Sequence, residues 1–348
     1  MQNLEEKQMV TRVFCCQQDA DRITIYRMDA HTGALAVEGQ YELPDGPAPL
    51  AVDPQGRWLV VGLRRRPGLA TLRLDTARGL GEVISAIELP VDPCYVSTDR
   101  AGRYALTAYY GAGRCAVHRI GEDGALAQEA VQWIETAPHA HCIRTDPSNR
   151  YAYLPHTVPA NQILQFAFDA ASGRLTPLPQ PKAPVQPEAG PRHYCYHPSL
   201  DRVYVSNEDS STVSSYALDA GTGQLELMQT LSTLPEGFTG KNSCAQIHMS
   251  PNGRWLFVSN RGHDSLAVFG VAGDTGLITA AGHRPTEPTP RVFGMEPSGR
   301  FLYTAGLGSD RLAAYALDDA TGQLDEIATY ALGRNPMWVL ALAMGGAE

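Results

Sequence analysis

One short phrase recurs along this chain and limits the folds available to it. It reads Asp53-Pro54-Gln55-Gly56-Arg57-Trp58-Leu59-Val60-Val61 at its first appearance. Copies begin at Asp99, Asp146, His197, Ser250 and Glu296, at steps of 46, 47, 51, 53 and 46 residues. Most keep a Pro, a turn residue, an Arg and then an aromatic or apolar run, as in Ser250-Pro251-Asn252-Gly253-Arg254-Trp255-Leu256-Phe257-Val258. A second phrase follows each copy: an alternating strand, a polar turn with Gly, then Leu or Val. Thr212 to Leu218 with Thr222-Gly223-Gln224-Leu225 is one example, and Ile23 to Met28 with Thr32-Gly33-Ala34-Leu35 is another. Further copies end at Gly81, Gly124, Gly173, Gly276 and Gly322, which makes seven.

Period-2 alternation marks half-buried strands, and the two phrases are hairpin turns in which Gly takes the strained dihedral. Four short strands in each unit of about 50 residues describe a propeller blade. The expected fold is therefore an all-β, seven-bladed β-propeller, with residues 1–348 forming a single domain and 1–10 a flexible tail. An α/β fold is disfavoured, because no run of a dozen residues has a helical period. The N-terminus lacks an inner strand, since Thr11 to Cys16 precedes Ile23 to Tyr26 directly. Pro336 to Leu342 fits that vacancy and predicts ring closure by the C-terminal strand in the first blade. The 33 Gly and 25 Pro, about one residue in six, suit such a turn-rich chain.

A net charge of -9 supplies no broad basic field, so nucleic acid is not an expected partner. No apolar run reaches membrane-spanning length. The polar, acidic segment Met1 to Val10 does not read as a signal peptide, and the cytoplasm is the expected location. The seven cysteines are odd in number and lack CxxC spacing. They read as small buried hydrophobes rather than a disulfide framework, with Cys142 and Cys195 lying beside polar residues of interest. A monomer is the default expectation.

Chemistry in a propeller gathers where inner strands line the central channel. Four inner stretches here are unusually polar: Pro138-His139-Ala140-His141-Cys142, Gly190-Pro191-Arg192-His193, Ala245-Gln246-Ile247-His248 and Thr289-Pro290-Arg291. His139 and His141 are two apart and so share one face of a strand. The second strands add Asn207-Glu208-Asp209 and Asn260-Arg261-Gly262-His263. These positions correspond between blades and can converge at one mouth. Structural readings stand beside the functional ones. His197 is a turn residue, His263 a solvated turn residue, and Glu208 or Asp209 a turn cap. Arg192 and Arg261 can pair with inter-blade carboxylates, and His141 can be a hydrogen-bonded channel residue. Neither HExxH nor a His–Cys ligand pattern supports a metal site. No Gly-x-Ser-x-Gly elbow or nucleotide-binding loop is present. Arginines, imidazoles and a carboxylate together suit a small anionic or polyhydroxylated molecule, with Arg as the anion fork and His or Glu as the proton carrier.

From Thr11 to Leu342 the sequence resembles the seven-bladed propeller lactonase family, which includes the propeller type of 6-phosphogluconolactonase and carboxy-cis,cis-muconate cyclase. The stretches Gly190-Pro191-Arg192-His193, Val205-Ser206-Asn207-Glu208, Leu234-Pro235-Glu236-Gly237-Phe238 and Gly253 to Arg261 carry the resemblance, with Thr289-Pro290-Arg291. It implies a lactonase that needs no metal or other cofactor. Glu208, His141 and His193 are then the catalytic group, and Arg192, Arg261, Arg291, His139 and His248 bind substrate. Two stretches depart from the family pattern: Leu63-Arg64-Arg65-Arg66-Pro67 and Ala305-Gly306-Leu307-Gly308-Ser309. The expected reaction is hydrolysis of a sugar lactone, first of all 6-phosphogluconolactone. An unphosphorylated aldonolactone, a carboxymuconate-type lactonizing cyclisation and a non-enzymatic interaction module are the alternatives.

Overall fold

A computed structural model describes residues 9–345. They form seven four-stranded antiparallel sheets. Each of blades 2 to 7 is four consecutive strands, the first innermost. In blade 5 these are Pro191–Tyr196, Arg202–Asn207, Thr212–Leu218 and Leu225–Ser232. In blade 6 they are Ser243–Met249, Trp255–Arg261, Ser265–Val271 and Ile278–Pro285. Blade 1 joins the two ends of the chain: Pro336–Gly345 is its inner strand and pairs antiparallel with Met9–Gln17. The ring therefore closes as the sequence predicts. Met9 and Val10 belong to that pairing rather than to a tail, and the rest of the expected tail lies outside the described residues. Among the described residues the helical segment is a single 3-10 turn, Gln18–Ala20.

Both recurring phrases find their physical reason at the seams between blades. The residue after each turn arginine is usually aromatic, and its ring lies against the turn glycine of the next blade. A Cβ on Gly223 would sit 2.2 Å from the Tyr151 ring, one on Gly173 2.4 Å from Tyr104, and one on Gly322 2.4 Å from Trp255. The last blade meets the first in the same way, with Gly33 against Phe301 at 2.2 Å. These glycines also have φ of 72–77°, a region that costs a side chain energy. In blade 2 the turn glycine is Gly79 (φ 83°) rather than Gly81, and its neighbour is Ile25 of blade 1.

Polar groups fasten the same seams. The Tyr151 and Tyr153 hydroxyls donate to the Gly221 and Gly223 carbonyls at 2.6 and 2.7 Å. Turn arginines reach the next blade too: Arg150 donates to Ala220 O at 2.5 Å and Arg300 to Ala30 O at 2.7 Å. The turn acid faces inward and closes its own hairpin. Asp146 Oδ1 accepts the Arg150 and Tyr151 amides at 2.8 Å each. His197 does this with a ring nitrogen, its Nδ1 accepting the Ser199 and Leu200 amides at 3.1 and 3.0 Å, so it is a turn residue.

Gly223→Ala combines a strained φ with a ring clash. It is expected to destabilise the fold by about 1–3 kcal/mol, read as a lower urea midpoint. Ala at Gly56, which also has positive φ but has open space around it, costs only the dihedral strain and shifts the midpoint less.

Candidate active site

The inner strands of blades 5 and 7 begin alike. Gly190 (φ 67°) and Thr289 (φ 56°) turn the chain in the left-handed region, and Pro191-Arg192 and Pro290-Arg291 follow. Pairing with the second strand slips at this point, between Pro191 and His193 and between Pro290 and Val292. Arg192 and Arg291 are the extra residues of these bulges. A bulge leaves its residue out of the ladder and re-aims the side chain. Blade 6 slips similarly between Cys244 and Ile247, across Gln246.

The re-aimed side chains meet at the mouth where inner strands begin. A narrow cavity there is lined by Arg64, Cys94, His141, Arg192, His193, Gln246, Arg291 and Trp338, among others. His193 Nε2 lies 3.1 Å from His141 Nδ1, so one ring donates to the other. Tyr95 meets His193 edge-on at 5.1 Å, and Tyr110 meets His141 at 5.5 Å. Burial, then the charge of Arg192, holds both imidazoles well below the usual histidine pKa. They are neutral at pH 7 and each keeps a lone pair.

Glu208 stands between two arginines. Its Oε1 accepts from Arg261 Nη2 at 2.6 Å, and Oε2 lies 2.9 Å from Arg192 Nε. The second contact is an ion pair without hydrogen-bond alignment, so Arg192 Nε and Nη1 are buried and unbonded. Burial pushes the Glu208 carboxyl up, but Arg192 and Arg261 outweigh it and hold it below the usual range. Arg192 is 2 % exposed, and burial brings it down to about 9, still cationic at neutral pH. Arg291 is brought to about 10 by burial and then by Arg261. Arg64, on the departing loop of blade 2, pairs with Asp92 at 2.7 Å while it lines the cavity. Asp209 is turned away, its Oδ2 accepting the Val158 amide at 3.1 Å.

Six of the expected site residues thus come together: His141, His193, Arg192, Glu208, Arg261 and Arg291. His139 does not share a strand face with His141. Its φ of 67° breaks the extended alternation, and its ring stacks on Tyr110 at 4.2 Å, outside the cavity lining. His248 points to the opposite mouth of the channel, because it sits at the far end of its strand. Cys142 and Cys195 are buried with their thiols pushed up to about 12, so neither is a ready nucleophile. Arg64, Cys94, Gln246 and Trp338 were not among the expected site residues. Arg64 and Gln246 stood in quoted stretches, whereas Cys94 and Trp338 carried no local signal. Among the described residues no group of three or more His, Cys, Asp or Glu is placed to hold a metal ion.

Residues 15–341 match the family model described as Lactonase, 7-bladed beta-propeller. The chain belongs to the seven-bladed β-propeller lactonase family. The 6-phosphogluconolactonase of Pectobacterium carotovorum subsp. carotovorum is 34 % identical over 332 residues, 95 % of this chain and 98 % of that one. That of Serratia proteamaculans is 34 % identical over 333 residues, with the same coverage. Among solved structures, the periplasmic gluconolactonase of Pseudomonas aeruginosa superposes with a TM-score of 0.87 at 26 % identity, over 96 % of this chain and 99 % of that one. A putative 6-phosphogluconolactonase from Bacteroides uniformis gives 0.86 at 25 %, over the same shares.

In this member of the lactonase family, removing the Glu208 charge strands two arginines. Glu208→Gln is expected to cost about 3–5 kcal/mol of stability at pH 7, the range for a broken buried pair. The folded pKa of Glu208 lies below the unfolded value of about 4.3. Its stabilisation is therefore complete above that value and is lost as pH falls through the folded pKa. Urea denaturation between neutral pH and pH 3 should show a shallower acid loss in the variant.

Proposed function

We propose that this protein hydrolyses a phosphorylated sugar lactone, 6-phosphogluconolactone, at this mouth of the channel. The observation that carries this reading is the charge balance there. Four guanidiniums, Arg64, Arg192, Arg261 and Arg291, gather against two paired carboxylates, Glu208 and Asp92. Arg192 keeps unbonded donors, and the excess of two positive charges matches a phosphate dianion. The 6-phosphogluconolactonases that resemble the chain over nearly its whole length support the same substrate. The likeness to a gluconolactonase favours an unphosphorylated aldonolactone as the second reading.

Water adds to the lactone carbonyl in this scheme, and the neutral His193–His141 pair takes its proton. An arginine stabilises the oxyanion. Collapse breaks the ring C–O bond, and the imidazolium returns its proton to the departing alkoxide. The product is an open-chain hydroxy acid, which ionises and releases one proton. Glu208, held between two arginines with lowered basicity, fixes Arg192 and Arg261 in place and is the weaker candidate base. We also propose a reducing compartment, the cytoplasm, because all seven cysteines are unpaired.

Proton release followed at constant pH is the direct test, with spontaneous opening subtracted. Fresh 6-phosphoglucono-δ-lactone should be hydrolysed far faster than glucono-δ-lactone. Arg291→Gln should lower kcat/KM by about 100-fold or more, the usual loss for an oxyanion or phosphate donor, and narrow that preference. His193→Asn should abolish most of kcat. The acid limb of wild-type kcat/KM should inflect below the ordinary histidine value of about 6.5, because the imidazoles must lose their proton to act. Glu208→Gln should keep that inflection. Equal rates on both lactones would favour the aldonolactone reading, and no turnover of either would overturn hydrolysis of these substrates.

A further inference from the structure

We propose that the opposite mouth of the channel is a second binding site, for a compact dianion such as inorganic phosphate or a phosphomonoester. An open cavity lies there, lined in part by Arg100, Arg144, Tyr196 and His248. Its two arginines differ from their neighbours on this face. Arg57 pairs with Asp53 at 2.8 Å, Arg254 with Asp319 at 2.8 Å, and Arg150 and Arg300 are bonded into the next blade. Arg100 and Arg144 have no carboxylate within ion-pair distance among the described residues. They make only long contacts to carbonyls: Arg100 to Asp146 O at 3.2 Å and Thr145 O at 3.4 Å, and Arg144 to Tyr194 O at 3.4 Å.

A charged neighbour does exist in Asp146, but its oxygens are already committed. They accept the Ser148, Arg150 and Tyr151 amides and the Ser148 hydroxyl. The Tyr196 hydroxyl is buried and has no partner. His248 is packed edge-on against Phe293 at 4.6 Å, and burial followed by the charge of Arg144 holds it near 4, so it stays neutral. Two cations and a neutral imidazole therefore line one cavity, beside a buried hydroxyl without a partner, and among the described residues no carboxylate is paired directly with either cation. Guanidiniums left like this repel each other, and an anion binding both relieves that cost.

Three chain segments carry both sites back to back. His141 and Arg144, His193 and Tyr196, and Gln246 and His248 each put one residue at either mouth. Tyr95 stands beside the channel centre, edge-on to His193 at 5.1 Å and to Trp338 at 5.6 Å. The second cavity has no His–His pair and no Glu between arginines, so it is assigned to binding rather than to hydrolysis.

Isothermal titration with inorganic phosphate at low ionic strength tests this. Arg291→Gln weakens the first mouth, and that variant should still bind one phosphate. Adding Arg100→Gln should weaken the remaining binding by at least about tenfold, the loss of one charge-assisted hydrogen bond. Arg144→Gln should do the same, and if it fails to fold, the exposed Arg100 carries the test. Arg100→Gln alone should leave lactone hydrolysis unchanged, which separates this site from the first. No phosphate binding in Arg291→Gln, or undiminished binding in the natively folded double variant, would overturn the proposal.

Discussion

Glycine against an aromatic ring is the contact on which the ring of blades depends. At four of the seams described, the turn of one blade brings a residue with no Cβ onto a ring from the blade before it, and a single methyl group would collide with that ring. Each seam is then fastened by a hydroxyl or guanidinium donating to the same turn. Angular spacing between blades is therefore set by short-range sterics repeated around the ring. The width of the central channel follows from that spacing, and so does the approach of inner strands that places Arg192 near Arg261 and His141 near His193.

Within this frame the site is made by departures from regular pairing. Bulges at Arg192 and Arg291 spend ladder hydrogen bonds to turn two guanidiniums inward. Burying them costs solvation, and Glu208 offsets part of that cost for Arg192 and Arg261. The balance is left positive, which prepares the mouth for an anion. The same field, together with burial, keeps the two imidazoles unprotonated, so the positive field and a usable base occupy one cavity without conflict.

The fold was legible because its determinants are local. A turn glycine, an aromatic residue after an arginine and a strand of alternating polarity all announce themselves within ten residues, and ring closure could be inferred from one missing strand. The pairing of His141 with His193 and of Glu208 with two arginines was partly legible, since equivalent blade positions point the same way. What sequence did not reveal depends on where along a strand a residue falls. His248 and Gln246 share a strand and a face, yet they serve opposite mouths. His139 lies in a segment that regular alternation would have made a strand, but a left-handed residue turns it out to the rim. Arg64 reaches the cavity from a blade without the polar inner strand used to find the others.

Pairing of Pro336–Gly345 with Met9–Gln17 has a consequence for synthesis of the protein. During translation the three outer strands of the first blade emerge before the other six blades, and its inner strand only after them. Until then Met9–Gln17 presents an open edge to any extended segment nearby, the condition under which nascent β-chains mispair. The final strand therefore acts as a completion check: the ring can shut only on a chain that has been made to its last blade and released far enough to fold back on its beginning.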